Sequence, residues 1–293
     1  MITAKQVSEL RNMTGAGMMD CKKALTETNG DIEAAVDWLR EKGIAKSAKK
    51  ANRIAAEGLA IAKINGNRAI ILEINSETDF VAKNEEFVSM VNVIADTVLE
   101  GNVSSVEEAL QLDANGQTIE NLIIEKISKI GEKLSLRRFE ILNKEDNQVF
   151  GDYSHMNGKI VSLCILEGDN QELSKDVAMQ IAAMRPIYLD REDVPAEEVE
   201  KERSIQKELA EKENANVPAE KIDMIVNGKL NKFYFAEVCL NEQAFIKENK
   251  VKVNKYVSEK GSKIVKFVRY EVGEGMQKRE ENFAEEVSKQ MNG

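Results

Sequence analysis

Histidine, cysteine and long apolar runs are scarce in this sequence, and each scarcity removes a class of function. The chain has one histidine, His155. A zinc site of the His/Cys type would therefore have to draw thiols or carboxylates from remote segments, and no metal is expected. The three cysteines, Cys21, Cys164 and Cys239, are odd in number and far apart. That suits packed, reduced thiols in a cytoplasmic protein better than a disulfide framework. No apolar run approaches the roughly 18 to 20 residues needed to cross a bilayer. The N-terminus, Met1-Ile2-Thr3-Ala4-Lys5, enters a helical pattern at once, without the apolar core of a signal peptide. Neither Gly-x-Ser-x-Gly, nor the phosphate loop Gly-x-x-x-x-Gly-Lys-Ser/Thr, nor a dinucleotide glycine fingerprint occurs. Nothing points to an enzyme or to a cofactor. A net charge of −10 argues against direct nucleic-acid binding, which depends on lysine and arginine displacing phosphate counterions, and fits a protein that meets other proteins.

What is present is a soluble, globular balance, 42% hydrophobic and 31% charged over 293 residues, enough for two or three packed units. The first segment has three short helical repeats: Val7, Leu10 and Met13; Met18, Cys21 and Leu25; Ile32, Ala35, Val36 and Leu39. Thr14-Gly15-Ala16-Gly17 and Asn29-Gly30-Asp31 separate them. Asp31 is placed to cap the third helix, and Gly43 to end it. Helices this short can bury their stripes only on one another, so a compact bundle is expected. The basic stretch Lys46–Arg53 then reads either as a solvated linker helix or as a phosphate-contacting patch, though no aromatics are interleaved for base stacking.

From Gly58 the period changes to that of strands. Leu59 and Ile61 lead to Asn65-Gly66, a type I′ turn signal, and Ile70–Ile74 completes a hairpin. A helix follows with Phe87, Val91, Ile94 and Val98 on one face. Another runs from Thr118 to Glu132, and a strand from Leu134 to Leu142. Asp152–Met156, Asn157-Gly158, Lys159–Leu166 and a helix through Val177, Ile181 and Met184 echo the same order, which suggests a duplicated α+β half-domain. The echo is interrupted by a charged stretch with sparse apolar positions at Val194, Val199, Ile205 and Leu209. Ile222, Ile225, Val226, Leu230 and Phe233 then resume helical spacing. This reads as an α-hairpin, either projecting as a coiled coil or packed flat. Ser262–Val272 alternates as a last strand, and Gln277–Met291 as a polar helix.

Between the first hairpin and its helix lies Thr78-Asp79-Phe80-Val81. Asn84 is a candidate N-cap for that helix, with Glu85 and Glu86 suited to its dipole. Alternatively Thr78 caps one longer helix and Phe80 belongs to the core, seven residues before Phe87. A carboxylate site around Glu73, Glu77 and Asp79 is a further alternative.

Two stretches carry a family resemblance. Leu10-Arg11-Asn12-Met13-Thr14-Gly15-Ala16-Gly17-Met18-Met19-Asp20-Cys21-Lys22-Lys23-Ala24-Leu25 resembles the N-terminal signature of the elongation factor Ts family. Glu73-Ile74-Asn75-Ser76-Glu77-Thr78-Asp79-Phe80-Val81-Ala82-Lys83 resembles its second signature. Further matches are Tyr153-x-His155-x-x-Gly158-Lys159, Ala182-Ala183-x-x-Pro186 and Gly228-Lys229-x-x-Lys232-Phe233. Where the family usually has Leu-Leu-x-Gln-Pro-Phe, this chain departs with Leu240-Asn241-Glu242-Gln243-Ala244-Phe245.

The resemblance implies an α+β fold: a ubiquitin-associated-like three-helix bundle, then a duplicated core with an inserted helical hairpin. The expected divisions are residues 1–45, a basic linker 46–57, core halves 58–145 and 146–275 (hairpin about 190–232), and a C-terminal module 276–293. It implies a guanine-nucleotide exchange factor for elongation factor Tu, acting by dislodging Mg²⁺ from that partner. Thr78, Asp79, Phe80 and Val81 would form the exchange site, Phe80 as a wedge and Asp79 as an electrostatic disruptor. His155 and Gly158 are candidate partner contacts, with a purely structural role for His155 as the alternative. Dimerisation within the complex is left open. The competing function is a ubiquitin-associated-type adaptor without exchange activity.

Overall fold

The computed structural model describes residues 2–14, 16–213 and 218–277. The chain forms two units, one from Met1–Lys63, Leu72–Glu140 and Glu271–Gly293, the other from Ile64–Ile71 and Ile141–Tyr270.

The first unit opens with α1 (Ala4–Thr14), α2 (Met18–Glu27) and α3 (Ile32–Lys50). Thr3 and Gln6 start α1 as a capping box: the Thr3 N–H donates to Gln6 Oε1 at 3.0 Å and the Gln6 N–H to Thr3 Oγ1 at 3.2 Å. Asp31 caps α3 by accepting from the Ala34 N–H at 3.0 Å. Val7, Leu10, Cys21, Ala24, Leu25 and Ala35 are buried together, but Met13 and Met18, the end positions of their stripes, are exposed. Gly43 does not end the third helix. α3 runs on to Lys50, and Gly43 is buried in its interior. A Cβ there would lie 3.1 Å from Ser128 Oγ and 3.5 Å from Ile124 Cγ2, so the glycine permits close approach of a later helix instead of a C-cap. Cations of the basic stretch are used locally: Lys46 pairs with Asp20 at 3.0 Å and Arg53 with Glu77 at 3.2 Å. That favours the linker-helix reading over a phosphate patch.

Next come β1 (Glu57–Asn65), β2 (Arg68–Ser76), α4 (Asp79–Ala82), α5 (Glu85–Glu100), α6 (Val106–Leu110), α7 (Ile119–Ile130) and β3 (Ser135–Asn143). The sheet order is β1-β2-β3, so β2 is central, and Ala69 to Ser76 are all buried. The hairpin turn is Gly66-Asn67, one residue later than the expected Asn65-Gly66. Positive φ occurs only at Gly66 (59°), the II′ pattern and not I′. α5 buries Phe87, Met90, Val91, Ile94, Ala95, Val98 and Leu99 on one face.

The second unit repeats the plan. β4 (Gln148–His155) and β5 (Ile160–Glu167) pair antiparallel from Gln148↔Glu167 to His155↔Ile160. α8 (Gln171–Met184) follows and packs so tightly on β4 that a Cβ at Gly151 would sit 2.1 Å from the Ser174 carbonyl oxygen. The chain then forms α9 (Ala196–Glu213), α10 (Ala219–Lys229), a π-helical turn (Leu230–Tyr234) and α11 (Phe235–Val238). β6 (Ala244–Phe245), β7 (Glu248–Lys252), α12 (Val253–Glu259) and β8 (Ile264–Glu271) complete it, with sheet order β4-β5-β8. In each sheet, therefore, a hairpin is followed after helices by a third strand laid against the hairpin's second strand.

α9 and α10 pack on each other around Ala210, Ile222, Val226 and Leu230, a small core of their own. Ile205 and Leu209, two of the sparse apolar positions of the charged stretch, are 45% and 43% exposed; the buried contact from α9 is Ala210. The departure at Asn241 is accommodated. Its Nδ2 donates to Asp190 Oδ1 at 2.8 Å, and Phe245 is buried and stacked on Tyr256 at 4.1 Å between ring centroids. The expected C-terminal helix lies outside the described residues apart from Gln277, which is not helical.

Candidate functional site

The exit from β2 is built around one short turn. Thr78 is extended (φ −129°, ψ 156°), and its hydroxyl oxygen accepts from the Val81 N–H at 3.5 Å, capping α4. α4 ends almost at once, because Asn84 caps α5 by accepting from Glu86 and Phe87 N–H groups at 2.9 and 3.3 Å. Asn84 thus caps α5 as read, whereas Thr78 caps only the four-residue α4 and not one longer helix. Phe80 is not core. It is 80% exposed, while its neighbour Val81 is buried and anchors the turn.

Asp79 lies beside Phe80 and pairs with Lys83 at 2.7 Å, both partners being substantially exposed. The Lys83 ammonium also sits 6.0 Å from the Phe80 ring centroid. An exposed i,i+4 pair of this kind contributes only about 0–1 kcal/mol, so an incoming partner can displace Lys83 at small cost. The turn is tied down from below. The Thr78 hydroxyl donates to Glu132 Oε1 at 2.6 Å, and the Thr78 and Glu77 N–H groups donate to Glu132 Oε2 at 3.0 and 3.1 Å. Ser76 Oγ donates to the Thr78 carbonyl at 2.9 Å. Sequence reasoning passed over Glu132. One clue was available: a carboxylate directly after a helix C-terminus faces the unfavourable end of the dipole, so it needs partners from elsewhere.

The alternative carboxylate site does not assemble. Glu73 is fully buried and accepts from Arg137 Nη1 (2.9 Å), Arg138 Nε (2.7 Å), Asn75 Nδ2 (3.0 Å) and the Gly273 N–H (2.8 Å). Burial would raise its pKa, but these donors, the Gly273 N–H first, outweigh burial and hold the carboxyl below its ordinary range. It locks the sheet to residues 271–274. Glu77 is engaged by Arg53 and by the Lys133 N–H at 2.6 Å. Glu73, Glu77 and Asp79 thus serve three separate sets of partners. Among the described residues, no group of three or more histidine, cysteine or acidic side chains could hold a metal ion.

His155 ends β4 in an exposed position, its ring stacked on Tyr153 with Nδ1 3.4 Å from the Tyr153 hydroxyl. Met156, Asn157 and Gly158 all have positive φ (50°, 53° and 84°), so the glycine at the last of these avoids strain, and Gly158 is buried. These two belong to the second unit and Thr78–Val81 to the first. The three cysteines are free and buried. Burial pushes all three thiols up, Cys239 to about 11 and Cys164 furthest, which makes them packing residues and poor nucleophiles.

A helical N-terminal module joined to an α+β core, with a capped turn holding an exposed aromatic beside a carboxylate, defines a modular protein that presents a surface. The family comparisons carry this further. Residues 77–274 match the family model for Elongation factor TS, and residues 2–39 match that for the UBA/TS-N domain. The chain belongs to the elongation factor Ts family, and its architecture is that of a translation elongation factor. Among the described residues, no helix is long and apolar enough to cross a membrane.

Proposed function

We propose that this protein is a guanine-nucleotide exchange factor acting on elongation factor Tu in the cytoplasm. It would bind the GDP-bound partner, dislodge Mg²⁺ and promote GDP release so that GTP can enter. The observation that carries this reading is Phe80: a large aromatic, 80% exposed, on a turn fastened at Thr78 and Val81. Folding gains nothing from that exposure. Family membership supplies the partner class.

A GTPase holds GDP through Mg²⁺ and backbone donors around the phosphates, so release requires loosening that cradle. Phe80 would enter an apolar gap of the partner. Asp79, released from Lys83, would compete for groups that orient the metal and its waters. Thr78 and Val81 would set their direction. His155 and Gly158 are proposed as a second contact region. The acceleration is differential binding: the factor must hold the distorted or nucleotide-free partner more tightly than the GDP-bound one.

Release of a fluorescent GDP analogue from elongation factor Tu, with and without this protein, tests the reading. Strong acceleration is expected, with losses for Asp79→Ala and Phe80→Ala in folded variants. No acceleration by the unmodified protein sinks the function; normal rates in both variants sink the site. The match over residues 2–39 favours, as a second reading, an adaptor of the ubiquitin-associated type. Recovery of modified proteins instead of elongation factor Tu in a pull-down would support it.

A further inference from the structure

A helix as short as α4, Asp79–Ala82, cannot hold its own place, because nucleating one turn costs more than its hydrogen bond returns. Its orientation must be imposed by neighbours. We propose that Glu132 is a positioning residue for nucleotide exchange, holding the β2–α4 junction so that Phe80 and Asp79 are presented before any partner docks. This rests on the exchange reading above.

Three donors from two consecutive residues converge on this one carboxylate: the Glu77 N–H, the Thr78 N–H and the Thr78 hydroxyl, at 3.1, 3.0 and 2.6 Å. Charge-assisted bonds of this kind are roughly twice as strong as neutral ones. The grip is reciprocal. The Glu77 carboxylate accepts from the Lys133 N–H at 2.6 Å, so neighbouring residues of each segment hold the other. Lys133 in turn donates through Nζ to the Ala51 and Arg53 carbonyls at 2.6 and 3.1 Å, and Arg53 returns to Glu77 at 3.2 Å. The clasp thus joins the residues after α3, the α7–β3 connection and the strand exit within the first unit. Glu132 follows Gly131, the left-handed cap of α7, where the helix dipole disfavours a carboxylate; its partners lie in the junction. Holding the wedge in advance keeps Phe80 and Asp79 in the geometry the exchange step itself needs, so a misplaced wedge shows in the rate after docking.

Two readouts on Glu132→Ala and Glu132→Gln test this. The glutamine can still offer its amide oxygen to both N–H groups and its NH₂ to Thr78 Oγ. The alanine offers nothing. In the free protein, NMR order parameters at the Asp79 and Phe80 amides should be about 0.85 for the unmodified chain and Glu132→Gln, and below about 0.6 for Glu132→Ala. In GDP release, Glu132→Ala should lower the rate at saturating factor about tenfold while the half-saturating concentration changes less than about twofold. Glu132→Gln should recover most of that rate. Unchanged order parameters in Glu132→Ala, or lost order with an unchanged rate, would overturn the proposal. If Glu132→Gln is as slow as the alanine variant, the charge and not the clasp is at work, and the proposal also fails. Should the unmodified protein not accelerate release at all, the exchange reading falls, while the order parameters still decide whether Glu132 holds the turn.

Discussion

In the first half-domain the chain leaves its hairpin at Ser76, forms the capped turn Thr78–Ala82, and only then enters α5 at Glu85. In the second, β5 ends at Glu167, and Asn170 caps α8 directly by accepting from the Leu173 N–H at 3.0 Å. Both halves share the hairpin, the following helix and a third strand against the second. The extra turn in the first half brings an exposed aromatic, and nothing comparable lies between Glu167 and Gln171. Folding explains Thr78, Val81 and Asn84 but not the exposure of Phe80, and that residue is what distinguishes the two connections. The halves are also anchored differently. The first is locked by a buried charge, Glu73 with Arg137 and Arg138. The second uses neutral amides: Gln180 Nε2 donates to Gln243 Oε1 and the Ala244 carbonyl, both at 3.1 Å, and Gln180 Oε1 accepts from the Ile246 N–H at 2.8 Å.

The largest effect that could break this comparison is expected at Glu73. Glu73→Ala leaves two arginines facing an emptied buried site and should cost about 3–5 kcal/mol in urea unfolding. If it costs no more than a surface substitution, the charge is not the anchor. Next is Gly151→Ala, whose Cβ would collide with the Ser174 carbonyl; because the obstacle is backbone, a loss of about 1–3 kcal/mol is expected in the same measurement. Gln180→Ala should cost about 1–3 kcal/mol by stranding the Gln243 and Ile246 groups.

Acid sharpens the contrast further. The Glu73 carboxyl is lowered in the folded state, so its stabilising contribution is complete above the unfolded carboxyl pKa, about 4.3, and is lost as pH falls through the folded value. The melting temperatures of the unmodified chain and Glu73→Gln should draw together as pH falls below about 4.3, whereas Gln180→Ala should remain offset by the same amount. The smallest effect on stability is expected at Phe80. Phe80→Ala should stay within about 0.5 kcal/mol of the unmodified chain, as befits an exposed side chain, while exchange falls. A large loss of stability there would mean that Phe80 packs within the protein and is not a presented wedge.

Much of the fold was legible because periodicity reports local burial. The stripe Phe87, Val91, Ile94 and Val98 is buried as spaced, and Asn84 and Asp31 cap where their side chains suggested. Legibility failed where distant chain sets the requirement. Gly43 reads as a stop signal until α7 is seen to need its missing side chain. Nothing in the charged stretch marks Ala210, which is the residue found at the helix contact. The candidate site was half legible. Thr78–Val81 stood out by resemblance, but two placements of Phe80 were compatible with the pattern, and Glu132 left only a dipole clue.

The short α6, β6, β7 and α12 were not legible in the sequence. By itself, then, it determined the longer helices and the two hairpins, that the thiols are packed and, through two signatures, the family. These depend on local spacing and on residue identity. Only the tertiary structure decided that Phe80 faces outward, that Glu73 is a structural anchor, and that Glu132 secures the turn. Each of these is a matter of which remote donor or surface reaches a side chain, and spacing along the chain does not encode that distance.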